Sequence, residues 1–194
     1  MIRVDPGEEE RISQGDIYRN IEHIEYVVEQ DGIIEISKII FPYIIVLTQD
    51  CDLAQDYMFR KEPKKTQDKL LISVLVAPIY NADHVFAGTH LNDPSLGLSM
   101  EIINEKRSPG KTLKQNERPR YHYLEFPEDV SIVPSIIDFK HYFSVNIKYL
   151  ESISSTQFVC RISDLYREDV SQRFASFLSR IGLPDEKDEC LEGD

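Results

Sequence analysis

Gln30-Asp31-Gly32 stands between two β-rich runs, Ile24 to Val28 and Ile33 to Ile40. Asp-Gly in that setting is among the strongest short-range signals for a tight hairpin turn. The first part of the chain is therefore committed to antiparallel β-structure, and the rest of the pattern agrees. Gly15-Asp16-Ile17-Tyr18 reads as a turn into a first short strand. Phe41-Pro42 is expected to break the second run, because Pro has no amide to give a ladder. Tyr43 to Thr48 is a continuous apolar run and predicts a buried central strand. Leu70 to Ala77 predicts another, and Arg120 to Phe126, Val130 to Phe139, Tyr142 to Ile147 and Phe158 to Ile162 are further strand candidates.

Only one segment has a clean helical period. Val170, Phe174, Phe177, Leu178 and Ile181 fall on one face of a helix, which predicts a helix over 165–181. Ser163 or Asp164 can cap its start, Gly182 suits its end, and Pro184 stops it. Many short strands followed by one helix predict a mainly β fold: a strongly bent or partly open β-barrel with a C-terminal helix packed on it. The 194 residues suit one domain, expected over 13–184. A charged head (1–12) and an acidic tail (185–194) are expected to be poorly ordered.

Composition excludes several classes. No apolar run approaches the roughly 18–20 residues of a membrane span, and the acidic N-terminus has no signal-peptide character. Three scattered cysteines, Cys51, Cys160 and Cys190, do not make a disulfide framework and fit a reducing, cytoplasmic setting. The formal net charge of -12 argues against a general nucleic-acid binder. The distribution weakens that argument, because residues 57–122 hold 11 basic and 7 acidic side chains. One basic cluster is Arg60, Lys61, Lys64, Lys65 and Lys69. The other is Lys106, Arg107, Lys111, Lys114, Arg118 and Arg120, followed directly by Tyr121, His122 and Tyr123. Basic side chains beside stacking aromatics are the ingredients of a groove for single-stranded RNA; the plainer reading is two solvated loops.

Two polar strings adjoin predicted strands. Thr48-Gln49-Asp50-Cys51-Asp52-Leu53 follows the central strand. Cys51 could be a nucleophile at a helix start, but Asp50 and Asp52 would oppose a thiolate. Joined by His84 or His90 these residues could hold zinc, although no C-x-x-C or H-x-x-x-H spacing supports a metal. The second string runs from Lys114 to Tyr123. There His122 could move a proton near neutral pH, Arg118 or Arg120 could fork onto a phosphate, and Gln115 and Asn116 could read a base edge or an amide. His23 and His141 have no neighbours suggesting a site. No Gly-x-Ser-x-Gly, Gly-x-Gly-x-x-Gly or Walker pattern occurs, and no motif implies a cofactor.

Gly15-Asp16-Ile17 paired with Pro42 to Thr48 resembles the opening of the MazF/PemK/Kid toxin superfamily. That resemblance covers the first third to half of the chain. It implies an SH3-like barrel, and includes dimeric, sequence-specific endoribonucleases, so a homodimer is the analogous assembly. The toxins carry an Arg just before the Pro, where this chain has Phe41. The strings Thr48 to Leu53, Gln115-Asn116 with Arg120 to Leu124, and Tyr166-Arg167 through Arg180 to Pro184 also look like a bacterial family with no assigned activity. The leading expectation is a cytoplasmic SH3-like binding module whose surface joins Gln49, Cys51 and Asp52 to Gln115, Asn116, Arg118 and Tyr121. The alternative is a toxin-like endoribonuclease: Thr48 positions the phosphate, Arg118 or Arg120 stabilises the oxyanion, and His122 or Asp50 moves the proton. A third reading docks a protein partner on the Phe174/Phe177/Ile181 face of the helix, against the plainer one in which that helix closes the core.

Overall fold

The computed structural model describes residues 1–5, 11–62, 66–92 and 97–180. The expected acidic tail, the Gly182/Pro184 helix stop, Ile181, Cys190, Lys64 and Lys65 lie outside them. The chain is mainly β. Eight antiparallel strands curl into a half-barrel, with helices packed on it, one of them C-terminal. The strands are β1 (Val4–Asp5), β2 (Asp16–Gln30), β3 (Ile33–Val46), β4 (Ser73–Asn81), β5 (Tyr121–Leu124), β6 (Ser135–Asp138), β7 (Phe143–Asn146) and β8 (Phe158–Ile162). Their order is β1-β8-β2-β3-β4-β6-β5, with β7 also on β4. The helices are α1 (Asp50–Lys61), α2 (Ala82–Phe86), α3 (Gly110–Lys114), α4 (Ile147–Gln157) and α5 (Asp164–Leu178).

The Asp-Gly turn forms as the sequence predicts, with φ of 51° at Asp31 and 77° at Gly32, the left-handed pair that matches strand twist. Pro42, expected to break its strand, is instead accommodated inside one, and so is Pro78, just past the expected end at Ala77. Pro42 lies in β3 opposite Asn20, whose φ of 53° kinks β2 where Pro42 has no amide to give. Pro78 lies in β4. The Leu75 amide and carbonyl point toward the β3 side, so the missing amide at Pro78 faces the other way. There it falls in the gap between pairing with β7 (Ser73 to Val76) and pairing with β6 (Ile79 to Asn81).

Period-2 alternation sends side chains to two cores. One holds Ile17, Ile45, Leu47, Ala77, Ile79, Leu124, Ile137, Cys160 and Ile162, closed by Val170 and Phe174 of α5. The other holds Tyr18, Ile44, Val46, Val76, Tyr80, Tyr121 and Ile136, covered by Leu53 of α1, Val85 and Phe86 of α2, Leu113 of α3 and Leu150 of α4. Phe177 is half-buried with its ring 6.2 Å from that of Phe139, so α5 serves the core. The head is more ordered than expected at its described end. Ile2 is buried, its amide donates to the Glu125 carbonyl at 2.7 Å, and Val4 and Asp5 pair with β8. That bond draws the β1 and β5 edges of the sheet together. No helix among the described residues is long and apolar enough to cross a membrane.

Candidate anion pocket

The segment from Tyr80 to Asp138 builds a cavity over the second core. Tyr80 ends β4, and Asn81 caps α2 by accepting from the Asp83 amide at 2.8 Å. Gly88, with φ of 69°, then turns the chain so that the His90 ring sits edge-on to Tyr80, centroids 5.0 Å apart. The following strap is tied back by Met100 N to Gly88 O (3.2 Å) and Ile103 N to Phe86 O (2.8 Å). A Cβ at Gly88 would meet the Met100 carbonyl oxygen at 2.4 Å. Gly88→Ala is therefore expected to cost at least about 2 kcal/mol by chemical unfolding, from left-handed strain and displacement of the strap.

On the other wall, Asn116 (φ 57°) acts as a strand partner for β5. Its Oδ1 accepts from the Tyr123 amide at 2.6 Å and its Nδ2 donates to the Tyr123 carbonyl at 3.2 Å. Arg173 of α5 donates to the carbonyls of Arg118 and Tyr121 at 2.8 and 2.9 Å, which fixes the loop entering β5. The register of β5 on β6 sets Tyr121 opposite Asp138. Asp138 is fully buried and accepts from Arg120 Nε (2.8 Å), Arg120 Nη2 (2.6 Å) and the Lys140 amide (3.0 Å). His141 Nδ1 stands 3.0 Å from the same carboxylate. Burial pushes the Asp138 carboxyl up, but the bonds from Arg120 and His141 outweigh it and hold it at about 2.

The resulting cavity, about 290 Å³, is lined by His90, Glu101, Arg118, Arg120, Tyr121 and Arg180 together with apolar side chains. Both ring nitrogens of His90, and the Tyr80 hydroxyl behind it, are buried without a hydrogen-bond partner among the described residues. Burial lowers the affinity of His90 for a proton and keeps the ring neutral in the free protein. Arg118 and Arg180 have no carboxylate partner among the described residues; Arg180 lies over the Phe177 ring at 4.4 Å. The cavity thus brings together a neutral imidazole, the Arg118 guanidinium and the Arg180 guanidinium, whose Nε donates to the Phe177 carbonyl at 3.2 Å and whose other N–H groups have no partner among the described residues, with the Glu101 carboxylate on the same wall.

The two polar strings do not form one site. Cys51 is exposed on α1, which covers the second core, whereas His122 shares its strand face with Leu124 and the first core. No hydrogen bond or ion pair joins 48–52 to 115–123 among the described residues. Thr48 Oγ1 accepts from the Leu75 amide at 2.7 Å, a capping role at the sheet end. Asp50 is taken by Arg11 (2.9 and 3.0 Å) and by the Gln14 amide. Its burial, which raises the carboxyl, is outweighed by Arg11, which lowers it. Gln49 and Asp52 are exposed and lie beside the Cys51 thiol.

His122 is buried, and desolvation aided by Arg173 pushes its pKa down to about 3. Alternation along β5 puts it on the face opposite Tyr121, away from the cavity. Of the second string, Arg118, Arg120 and Tyr121 line the cavity, Asn116 is structural, and Gln115 is exposed. His90 packs on Tyr80 and not beside Cys51, and no set of three metal-ligating side chains occurs among the described residues. Three members of the basic clusters are spent locally: Arg60 on Asp56, Lys114 on Glu105, Arg120 on Asp138.

Sequence reasoning missed Asp138 and Arg180, weighed His90 only as a metal ligand beside Cys51, and set His141 aside. His141 has a carboxylate three residues before it, a signal that was available; the others meet only through sheet register. A scan against models of protein families finds no match, and no curated protein matches the sequence.

Proposed function

We propose that this chain is a binding module whose cavity takes a phosphate-bearing ligand no larger than a sugar phosphate at the buried end. The supporting observation is the pairing of Arg118 and Arg180, both without a carboxylate partner among the described residues, with the unpaired ring nitrogens of His90. A phosphate supplies acceptor oxygens for both forks and for the one N–H of the neutral His90 ring, which relieves the cost of leaving that donor unpaired, about 1–3 kcal/mol. The cavity volume of about 290 Å³ sits at the lower end for ligand sites and admits one ribose phosphate. Arg120 contributes by position: its charge is spent on Asp138, and the pair holds the cavity wall.

The resemblance to the MazF/PemK/Kid superfamily makes a phosphodiester of single-stranded RNA one source of that phosphate. The candidate catalytic side chains Thr48, Asp50, Arg120 and His122 are each held in other contacts, which favours binding over cleavage.

Calorimetric titration with inorganic phosphate and with adenosine monophosphate tests the reading. Saturable binding is expected, weakened about tenfold or more in Arg118→Ala and in Arg180→Ala. Heat that does not saturate, or affinity unchanged by both substitutions, would overturn it. Incubation with a mixed RNA pool separates the alternative, because cleavage by the wild type that is lost in Arg118→Ala, the oxyanion candidate free of a structural ion pair, would restore the ribonuclease reading.

A further inference from the structure

Beyond Pro42, β3 no longer pairs with β4, and β2 and β3 run on together as a two-stranded ribbon to the Asp31-Gly32 turn. An isolated ribbon of this kind is marginal in water. One of its faces is aliphatic. Opposed residues share a face, and the register sets Glu22 against Ile40, Ile24 against Lys38, Val27 against Ile36 and Glu29 against Ile34. The bulge between Ile24 and Tyr26 takes up the odd residue and keeps Val27 in line. Ile24, Val27, Ile34, Ile36 and Ile40 therefore form one stripe, 53–63 % exposed. Monomeric proteins rarely leave so large a contiguous patch in water.

We propose that two copies of this chain associate through these ribbons, stripe against stripe, about a two-fold axis. Each of the five side chains presents roughly 100 Å², about 500 Å² per copy, so a pair buries about 1,000 Å² in total, the size at which a specific interface begins. The charges on the face fit that arrangement. A two-fold packing with the ribbons antiparallel lays the tip of one on the base of the other. Glu29, beside the tip, then meets Lys38 of the second copy, beside the base. Lys38 already stands 2.8 Å from Glu22, so the face carries little unbalanced charge. The other carboxylates, Glu25 and Glu35, point to the opposite face, where Glu25 accepts from Ser37 at 2.7 Å. The antiparallel two-fold is the choice that avoids meeting like charges.

Sedimentation equilibrium of the full chain tests this. At micromolar concentration the expected mass is twice 22.5 kDa. Val27→Thr with Ile36→Thr should weaken association about tenfold or more while leaving the circular dichroism spectrum unchanged, because both side chains are exposed and threonine keeps the β-branched shape without setting like charges on facing strands. In a Glu22→Gln background, which removes the partner of Lys38 on its own ribbon, Glu29→Lys and Lys38→Glu should each weaken the dimer, and the two together should restore it. A wild-type monomer up to 100-fold higher concentration, or a dimer indifferent to the stripe substitutions, would overturn the proposal. A dimer that loses affinity in both charge reversals without recovery in the double variant would overturn the antiparallel arrangement.

Discussion

Replacing Asp138 by Ala is expected to lower the folding free energy by about 3–5 kcal/mol, the usual cost of removing one member of a buried ion pair. The carboxylate is fully buried and receives two bonds from one guanidinium and one from a backbone amide, with the His141 ring nitrogen 3.0 Å away. Without it, the Arg120 charge is left in a half-buried wall with no counterion, and the end of β6 loses the Lys140 amide bond. Asp138→Asn keeps the shape but removes the charge, and should fall between wild type and Ala. Arg120→Ala with Asp138→Ala should cost less than the two single losses together, because neither charge is then stranded. Urea unfolding reads all four variants. A loss under about 1 kcal/mol in Asp138→Ala would mean that the cluster does not anchor the cavity wall.

The same cluster sets the acid limit. The Asp138 carboxyl is held at about 2, below its ordinary 3.8. A depressed acid stabilises the fold fully above its unfolded value, and that contribution disappears as the pH falls from about 4 toward 2.

The second large effect belongs to His122 and occupies a different pH window. Its ring is buried against Phe139, Asp169 stands 3.9 Å from Nε2 with its side chain mostly in water, and Arg173 opposes a second positive charge. With a folded value of about 3 against an ordinary 6.5, the unfolded chain takes the proton first as the solution is acidified. Stability should therefore be flat above about 6.5 and fall at up to about 1.4 kcal/mol per pH unit below that, until the ring protonates in the fold. His122→Leu removes the larger share and should reduce the slope between pH 6 and 4; what remains there comes from His90, which burial also depresses, with the Asp138 and Asp50 declines below 4. Thermal unfolding across that range distinguishes the two. An identical slope in wild type and variant would show that His122 is not the buried neutral group.

The sequence made the hairpin, the two central strands and the C-terminal helix legible because each rests on local chemistry: Asp-Gly, continuous apolar runs, and a helical stripe, although Ser163 at the helix start makes no side-chain capping bond. It failed where a local rule met a tertiary gap. Pro42 and Pro78 look like breakers, yet their missing amides face places where the ladder has no partner to lose. The α4 segment reads as β-rich at Ile147, Tyr149 and Ile153, and its helix signal is Asn146, which accepts from the amides of Lys148 and Tyr149.

The site was half legible. Arg118, Arg120 and Tyr121 announced themselves as basic and aromatic residues entering a strand. Asp138 and His90 join them only because β5 pairs with β6 and Gly88 folds His90 onto Tyr80, relations that no spacing in the chain encodes. The most conspicuous string, Thr48 to Asp52, proved to be a joint: Thr48 caps the sheet end and Asp50 anchors Arg11.

The most direct measurement of the anion pocket is histidine-ring NMR while inorganic phosphate is added. Of the five histidines, only His90 lines the cavity. The account predicts a saturable shift of the His90 ring resonances, with those of His122 unmoved, and loss of saturation in the Arg118→Ala/Arg180→Ala variant. His90 resonances that stay still, or that drift linearly along with all the others, would contradict it.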